Sequence, residues 1–325
     1  MDIIQRIRRP IEADMEKYRV LFDSYLEHSD PLLHEVFVQI SSRKGKMMRP
    51  VLTLLVTKLL GGTVDDKCLH TAATFEYLHT ASLVHDDIVD ESEQRRGDES
   101  VNYSYGNKVA VLVGDYLLSN ALLCASKVGD VRLIGIVSKV AQALASGEIL
   151  QLDNISNQSI DESVYFDIIN RKTASLFSAC AEAGALIASA GQDIVEMMFL
   201  FGHAVGMCFQ VRDDIFDYGS NVSIGKPTGN DMKEGKLTLP LIYALNSAGN
   251  ERMFSLAQKV KRGEVVQEEI DELVHFTRLN GGIDYAAEVM NDFACKAKSI
   301  LAAFPESDVR DSLMLYVDYV IQRNV

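Results

Sequence analysis

The chain has 325 residues, 47% of them hydrophobic, and a formal net charge of −14. Nucleic-acid affinity comes largely from Lys and Arg side chains that neutralise phosphates, so this charge argues against a nucleic-acid partner. The five cysteines are scattered, with no pair at metal-ligand spacing, which predicts packed, reduced thiols in a cytoplasmic protein. We expect no secretion signal and no transmembrane segment, because the N-terminus lacks an apolar core and polar residues break the longest apolar runs.

Helical periodicity dominates the sequence. Ala, Leu, Val and Met recur at helical spacing from Val51 to Phe304, and only Pro227 and Pro240 interrupt that span. The sequence has no strand-like alternation, no internal repeat of 20 to 50 residues and no low-complexity linker. We therefore predict an all-α protein that folds as one domain over residues 1–325.

A basic turn is the first candidate functional feature in chain order. Gly45 predicts a turn, and Pro50 suits the first turn of the helix that follows. Lys46 and Arg49 lie in this segment as candidate anion ligands, although a basic pair taken alone is more often a solvated surface feature.

The same acidic pattern occurs twice, at Asp86–Asp90 and at Asp213–Asp217, each after an apolar segment that predicts a helix. The first and fifth positions of each repeat share one helix face, so their carboxylates point to a common place. Solvated faces or helix caps would explain one such pair, but unpaired charge is costly beside the apolar segments 75–84 and 199–211. Mg²⁺ prefers carboxylate oxygens together with water and substrate phosphate. The repeats therefore predict two facing clusters that hold several Mg²⁺ ions around a diphosphate.

Further cations accompany the acidic repeats. Arg95 and Arg96 follow the first repeat, and Lys172-Thr173 lies within a predicted helix that continues to Ala190. After the second repeat, the segment 219–236 contains Gly and Pro residues in the proportions typical of a mobile lid.

The order of these motifs resembles that of the trans-polyprenyl diphosphate synthases, and in particular of long-chain members such as octaprenyl diphosphate synthases. The segment from Glu76 to Asp90 looks like the first aspartate-rich motif of the family, and Phe209 to Asp217 looks like the second. The shorter matching motifs are Gly45-Lys46 with Arg49-Pro50, Gly114-Asp115, Arg171-Lys172-Thr173, Gly225-Lys226-Pro227 and Glu234-Gly235-Lys236. Lys44 stands where the family often has a second glycine, and the basic C-terminal residues of the family are reduced to Arg323.

This resemblance implies an all-α isoprenoid synthase fold, with antiparallel helices around a deep central cavity, and a homodimer that buries helix faces such as 109–125. It also implies a Mg²⁺-dependent prenyltransferase that condenses isopentenyl diphosphate with an allylic prenyl diphosphate. The allylic diphosphate leaves, the double bond of isopentenyl diphosphate attacks the resulting cation, and proton loss gives a product one isoprene unit longer.

The functional positions of the family correspond to four overlapping groups of residues in this chain. About three Mg²⁺ ions would be bound or supported by Asp86, Asp87, Asp90, Asp213, Asp214 and Asp217. The allylic diphosphate or the cation would be contacted by Arg95, Lys172, Thr173, Gln210 and Lys226, and Lys236 would also bind substrate. The catalytic set implied by the resemblance is Asp86, Asp90, Asp213, Lys172, Thr173 and Gln210. Isopentenyl diphosphate would be bound by Lys46, Arg49, His79 and Arg96.

Product length is predicted from the residues one turn before the first acidic repeat. A helix turn rises about 5.4 Å, comparable with one isoprene unit. Ala81 and Ser82 are small where shorter-chain members of the family commonly have an aromatic wall, although close helix packing also selects small residues. We expect a product of roughly seven to ten isoprene units, which suits a quinone side chain and release at a membrane surface. A farnesyl or geranylgeranyl diphosphate synthase is the alternative.

Three other functions fit parts of the sequence. His70, His79 and His85 with Asp86 resemble an HD-type metal phosphohydrolase, but that function leaves the second acidic repeat unused. A non-catalytic subunit of a heteromeric prenyl synthase would be expected to lose metal carboxylates, and all six are present. A terpene cyclase of the same fold would not need the predicted isopentenyl diphosphate site.

Overall fold

The computed structural model of the protein describes residues 2–42, 45–95, 97–157, 159–219 and 229–323. These residues form seventeen α-helices, so the all-α prediction is confirmed. The first eight are α1 (Ile3–Arg8), α2 (Glu12–Ser24), α3 (Pro31–Ser42), α4 (Met48–Leu59), α5 (Asp66–Val89), α6 (Val101–Tyr105), α7 (Asn107–Val128) and α8 (Val131–Ser156). The others are α9 (Glu162–Ile169), α10 (Ser175–Ile187), α11 (Gln192–Asp217), α12 (Asn230–Lys233), α13 (Leu239–Ala248), α14 (Glu251–Lys261), α15 (Gln267–Leu279), α16 (Gly282–Ala302) and α17 (Asp308–Gln322).

Three short elements depart from regular helix. A 3₁₀ turn (Arg9–Ile11) follows α1, and a π-helical turn (Asn170–Ala174) separates α9 from α10. Strands β1 (Gln94–Arg95) and β2 (Asp98–Glu99) form an antiparallel hairpin in which Arg95 pairs with Asp98. Gly97, with φ +86°, turns this hairpin. The sequence showed no strand-like alternation because strands of two residues are too short to produce it.

The chain divides into two compact units. The first comprises Met1–Gln142, Leu176–Gly202 and Ile300–Tyr319, and the second comprises Ala143–Ser175, His203–Ser299 and Val320–Val325. The prediction of a single domain stays a prediction.

The core of the first unit forms around α5, which packs against α4 and along α7. Asp65 begins α5 by accepting a hydrogen bond from the backbone N–H of Cys68 at 3.1 Å, which satisfies a donor that the helix itself cannot. Phe75 and Tyr77 of α5 and Val51 of α4 are fully buried. Burial of this apolar surface fixes the helix that ends in the first acidic motif.

The second unit holds the end of α11 beside the segment before α13. Tyr218 follows α11, is 1% exposed, and hydrogen-bonds through its hydroxyl to Thr238 Oγ1 at 2.9 Å. Arg278 of α15 donates to the Tyr218 carbonyl at 2.9 Å. Pro240 occupies the first turn of α13, where its missing N–H costs no helical hydrogen bond.

Three helices, α7, α8 and α11, are long and apolar enough to cross a membrane by length and composition alone. The fractions of their most apolar windows that are buried in the protein are 44%, 28% and 56%. Because these properties alone permit a span, the expected absence of a transmembrane segment remains a prediction.

Candidate active site

The first acidic motif lies at the C-terminal end of α5. Asp86 and Asp87 belong to the last turn, and Asp90 caps the helix by donating its backbone N–H to the Asp86 carbonyl at 2.8 Å. The spacing of one helical turn places Asp86 and Asp90 on one face, as the sequence predicted.

Asp87, the second residue of this motif, is buried and bonded to Arg95. Its side chain is 4% exposed, and Arg95 Nε donates to its Oδ1 at 2.8 Å while Arg95 Nη2 contacts the same oxygen. Asn102 Nδ2 donates to the Asp87 carbonyl at 3.1 Å. The β1–β2 hairpin is therefore tied to the end of α5 through an ion pair between half-buried Arg95 and buried Asp87.

The predicted basic turn precedes α4. Met47 is the N-cap of α4 and adopts left-handed backbone angles, φ +41° and ψ 44°. The Lys46 ammonium lies 5.4 Å from the centre of the Tyr319 ring, and the Arg49 guanidinium lies 4.8 Å from that of Phe177. These cation–π contacts hold both basic side chains within the first unit.

A cavity of about 80 Å³ in the first unit collects several predicted residues. His79, Asp87 and Arg95 are among its polar lining residues, and Leu83 and Val84 are among its apolar ones. Gly45 and Met47 also line it, so the basic turn reaches the same cavity.

The predicted chain-length residues differ in their surroundings. Ser82 is half-buried, lies one turn before Asp86, and donates its hydroxyl to the His79 carbonyl at 2.9 Å. Ala81 is 3% exposed and lies about 140° around the helix from Asp86. Their roles in product length stay predictions.

The second acidic motif ends α11 and is organised by a hydrogen-bond chain. Asp214 is 3% exposed and accepts hydrogen bonds from Tyr165 Oη at 2.6 Å and from Gln210 Nε2 at 2.8 Å. Gln210 Oε1 in turn accepts from Thr173 Oγ1 at 2.7 Å. Sequence reasoning missed Tyr165, because an aromatic residue on an apolar helix gives no signal of a polar contact 49 positions along the chain.

Asp217 accepts hydrogen bonds from the backbone at the start of α12. Its Oδ1 accepts from the Asn230 N–H at 2.9 Å, and its Oδ2 accepts from the Asp231 N–H at 3.1 Å. Gly229, with φ +78°, donates to the Asp217 carbonyl at 3.0 Å. Asp217 thus anchors α12, and no local pattern in the sequence indicates this contact or a role for Asp231.

Lys172 and Thr173 lie in the π-helical turn between α9 and α10 rather than in the continuous helix that was predicted. Such turns insert one residue and are frequent at functional sites. Lys172 Nζ pairs with Glu148 of α8 and donates to Gln151 Oε1 at 3.2 Å. Glu148 and Gln151 are three residues apart on one face of α8. This polar pair on an apolar helix is the sequence signal that could have indicated a partner for Lys172.

A cavity of about 180 Å³ in the second unit joins these residues. The predicted site residues that line it are Lys172, Thr173, Gln210, Asp214 and Lys236. Lys236 Nζ pairs with Glu234 at 2.7 Å.

Arg323, which directly follows α17, contacts the second acidic motif. Its Nη2 donates to Asp213 Oδ1 at 2.6 Å and to the Phe209 carbonyl at 2.9 Å, and its guanidinium stacks 3.7 Å from the Phe209 ring centre. Arg212 Nε and Nη2 hold the Arg323 carbonyl at 3.3 and 3.2 Å. A guanidinium therefore occupies one oxygen of a predicted metal ligand.

Two predicted ligands, Arg96 and Lys226, lie outside the described residues, as do residues 220–228 of the predicted lid. Their roles stay predictions.

The carboxylates of the second unit carry crowded negative charge. Burial is the largest cause that raises the pKa of Asp214, to about 7, and it also raises the pKa of Asp231. The charges of neighbouring carboxylates raise both pKa values further.

Within the described residues, no three His, Cys, Asp or Glu side chains form a cage for a metal ion. Mg²⁺ needs no such cage, since it is usually held by one or two carboxylates plus substrate phosphates. The donor set therefore fits Mg²⁺.

Comparison with known proteins identifies the family. A family model described as Polyprenyl synthetase matches residues 30–276. The chain belongs to the polyprenyl synthetase family. Octaprenyl diphosphate synthase of Haemophilus influenzae is 32% identical over 99% of this chain and 97% of its own length.

Solved structures share the fold across nearly the whole chain. The crystal structure of a polyprenyl synthase from Caulobacter crescentus, complexed with calcium and isoprenyl diphosphate, has a TM-score of 0.92 and 32% identity, covering 99% of this chain and 98% of its own. That of a geranylgeranyl pyrophosphate synthase from Bacteroides thetaiotaomicron has a TM-score of 0.88 and 46% identity, covering 99% and 100%. The predicted isoprenoid synthase fold and prenyltransferase family are confirmed.

Proposed function

We propose that this member of the polyprenyl synthetase family is a Mg²⁺-dependent, long-chain trans-polyprenyl diphosphate synthase. The observation that carries the site assignment is the cavity of the second unit, where Lys172, Thr173, Gln210 and Asp214 meet. An ammonium, a hydroxyl, an amide and a carboxylate at one cavity can bind a diphosphate and stabilise a nearby cation.

About three Mg²⁺ ions are proposed to bind through Asp86, Asp90 and Asp213, with Asp87, Asp214 and Asp217 in support. When bound, Mg²⁺ stabilises the diphosphate as a leaving group. The calcium and isoprenyl diphosphate of the Caulobacter crescentus structure support this proposal, because calcium also takes oxygen ligands.

The side chains near Lys172 are proposed to bind and orient the allylic diphosphate. Arg95, Lys226 and Lys236 add positive charge to the same substrate. Thr173 and Gln210 are fixed by their mutual hydrogen bond and by that from Gln210 to Asp214, so their dipoles are oriented before the allylic cation forms.

Isopentenyl diphosphate is proposed to bind Lys46, Arg49, His79 and Arg96. A guanidinium such as Arg49 contacts two phosphate oxygens through its planar fork. The apolar lining beside His79 suits the hydrocarbon part of this substrate. Exclusion of water from the closed site would protect the cation.

The proposed product contains roughly seven to ten isoprene units, as in the tail of a respiratory quinone. Two observations support this product length. Residues Ala81 and Ser82 are small, and the chain is similar to an octaprenyl diphosphate synthase over 99% of its length. The alternative, a geranylgeranyl diphosphate synthase, is favoured by the name of the Bacteroides thetaiotaomicron protein, which is 46% identical.

We also propose a cytoplasmic homodimer, with product release at a membrane surface. Apolar residues on α7 remain exposed, Leu112 by 67%, Leu122 by 50% and Leu123 by 53%. A second copy of the chain would bury such a face, which explains the high hydropathy of α7 without a membrane span. All five cysteines are free, in keeping with a reducing compartment.

Two of the other functions, the HD-type phosphohydrolase and the non-catalytic subunit, are less well supported. In the HD-type alternative, His70 would bind metal, but its Nδ1 bonds to the Asp66 carbonyl at 2.7 Å and its side chain is buried. A non-catalytic subunit would not need Lys172 and Asp214 at one cavity. Turnover by the purified chain alone would separate the enzyme from a non-catalytic subunit.

Metal dependence and two substitutions test the proposal. Asp86→Ala and Asp213→Ala should each lower kcat about 10²- to 10³-fold, because each removes a group that stabilises leaving-group charge. Asp292→Ala, an exposed carboxylate on α16, is the control and should keep full activity. Circular dichroism should report an unchanged helical fold. Full activity in either variant, or in EDTA, would contradict the assignment.

A further inference from the structure

The backbone that carries Lys46, just before α4, and Arg49, in the first turn of α4, is held at two carbonyls. Arg8, the last residue of α1, donates from Nη2 to the Lys46 carbonyl at 2.5 Å. Tyr316, in α17, donates its hydroxyl to the Met48 carbonyl at 2.9 Å. The two acceptors lie on either side of Met47.

The backbone of Met47 explains why the turn needs this support. Its φ of +41° is left-handed, a conformation that is disfavoured for residues with a side chain because Cβ crowds the backbone. Such conformations persist only where the surroundings hold them. Without these hydrogen bonds, we expect the turn to relax and to move the Lys46 ammonium relative to the Arg49 guanidinium.

The two donors are themselves anchored in the packed first unit. Ile7 and Ile11, on either side of Arg8, are 1% and 0% exposed. Tyr316 is 0% exposed. Because both donors are attached to buried elements, their hydrogen bonds transmit rigidity to the turn.

We propose that Arg8 and Tyr316 are positioning residues for the isopentenyl diphosphate site. They fix the carbonyls that flank Met47, and so set the separation and direction of Lys46 and Arg49 at the diphosphate. This inference rests on the proposed function, in which Lys46 and Arg49 bind that substrate. Neither positioning residue contacts the substrate.

Steady-state kinetics of the full-length enzyme test the inference. Arg8→Ala should raise the KM for isopentenyl diphosphate about three- to tenfold, while kcat and the KM for the allylic primer stay within about twofold. Tyr316→Phe removes only a hydroxyl and should also raise the KM for isopentenyl diphosphate. Arg8→Lys should restore part of the loss, because an ammonium can donate to the same carbonyl.

Three comparisons decide between positioning and a merely structural role. The exposed neighbour Arg9, replaced by Ala, should leave both KM values unchanged. A lower melting temperature with an unchanged KM in Arg8→Ala and Tyr316→Phe would overturn the inference, as would equal increases for both substrates. Lys46→Ala is the reference for the site itself. If it leaves the KM for isopentenyl diphosphate unchanged, the proposed site is wrong; if it raises that KM and Arg8→Ala does not, only the positioning role is wrong.

Discussion

Replacing Tyr165 by Phe tests the hydrogen-bond chain that holds the second acidic motif. Its hydroxyl donates to Asp214 Oδ2 at 2.6 Å, while Gln210 occupies the other oxygen at 2.8 Å. Tyr165 is 4% exposed and Asp214 is 3% exposed. Loss of the hydroxyl therefore removes one of two hydrogen bonds from a buried carboxylate and leaves its orientation less fixed.

The size of the effect follows from the charge of the acceptor. A hydrogen bond to a charged group contributes about 1.5 to 3 kcal/mol, whereas one between neutral groups contributes about 1 kcal/mol. Above the Asp214 pKa of about 7, where the carboxylate is ionised, the full loss would lower kcat about 10- to 150-fold, at about 1.36 kcal/mol for each tenfold change in rate. If part of this hydrogen-bond free energy stabilises the fold instead of the transition state, the variant will show that part as a lower melting temperature.

Initial rates at saturating Mg²⁺ and substrates measure the catalytic share. Tyr243→Phe is the matched control in the same unit, because the Tyr243 ring stacks on Tyr285 with centroids 4.0 Å apart and its hydroxyl makes no hydrogen bond within the described residues. The control should keep wild-type kcat. A folded Tyr165→Phe variant with kcat within twofold of wild type would refute the role given to this hydrogen bond.

Four further substitutions test the remaining assignments. Lys46→Ala should raise the KM for isopentenyl diphosphate more than that for the allylic primer, and Lys172→Ala should do the reverse, because the two cations are assigned to different diphosphates. Equal effects on both substrates would contradict the two sites. Ala81→Phe should shift products toward the farnesyl or geranylgeranyl stage while the first condensation keeps its rate; full-length product, sized by chromatography, would show that the chain takes another path. Arg323→Gln should lower the Mn²⁺ concentration needed for half-saturation, measured by paramagnetic resonance, because the guanidinium occupies Asp213 Oδ1. Weaker Mn²⁺ binding would show that Arg323 orients this carboxylate instead of competing for it.

The helical class and the elements that carry the acidic motifs could be predicted because their signals are local. Apolar spacing before Asp86 and Asp213 is sufficient to predict α5 and α11, and the five-residue repeat places carboxylates on one face. The β1–β2 hairpin and the π-helical turn at Lys172 could not be predicted. The first is too short for periodicity, and the second differs from α-helix by a single inserted residue.

The partners of the site residues were less accessible to sequence reasoning because they are distant along the chain. Tyr165 reaches Asp214, and Arg8 reaches Lys46, through contacts that exist only after the helices pack. No local pattern assigns a partner to Arg323, which binds Asp213. Local patterns identify the residue types that a reaction needs, whereas tertiary packing decides which side chains fix them.

The most direct test of the central claim is the size of the product made by the purified full-length chain. The protein is incubated with Mg²⁺, excess isopentenyl diphosphate and allylic primers of several lengths, and the dephosphorylated products are separated and identified by mass. We predict a main product of roughly seven to ten isoprene units. Accumulation of farnesyl or geranylgeranyl diphosphate as the final product, with isopentenyl diphosphate still in excess, would contradict the long-chain function.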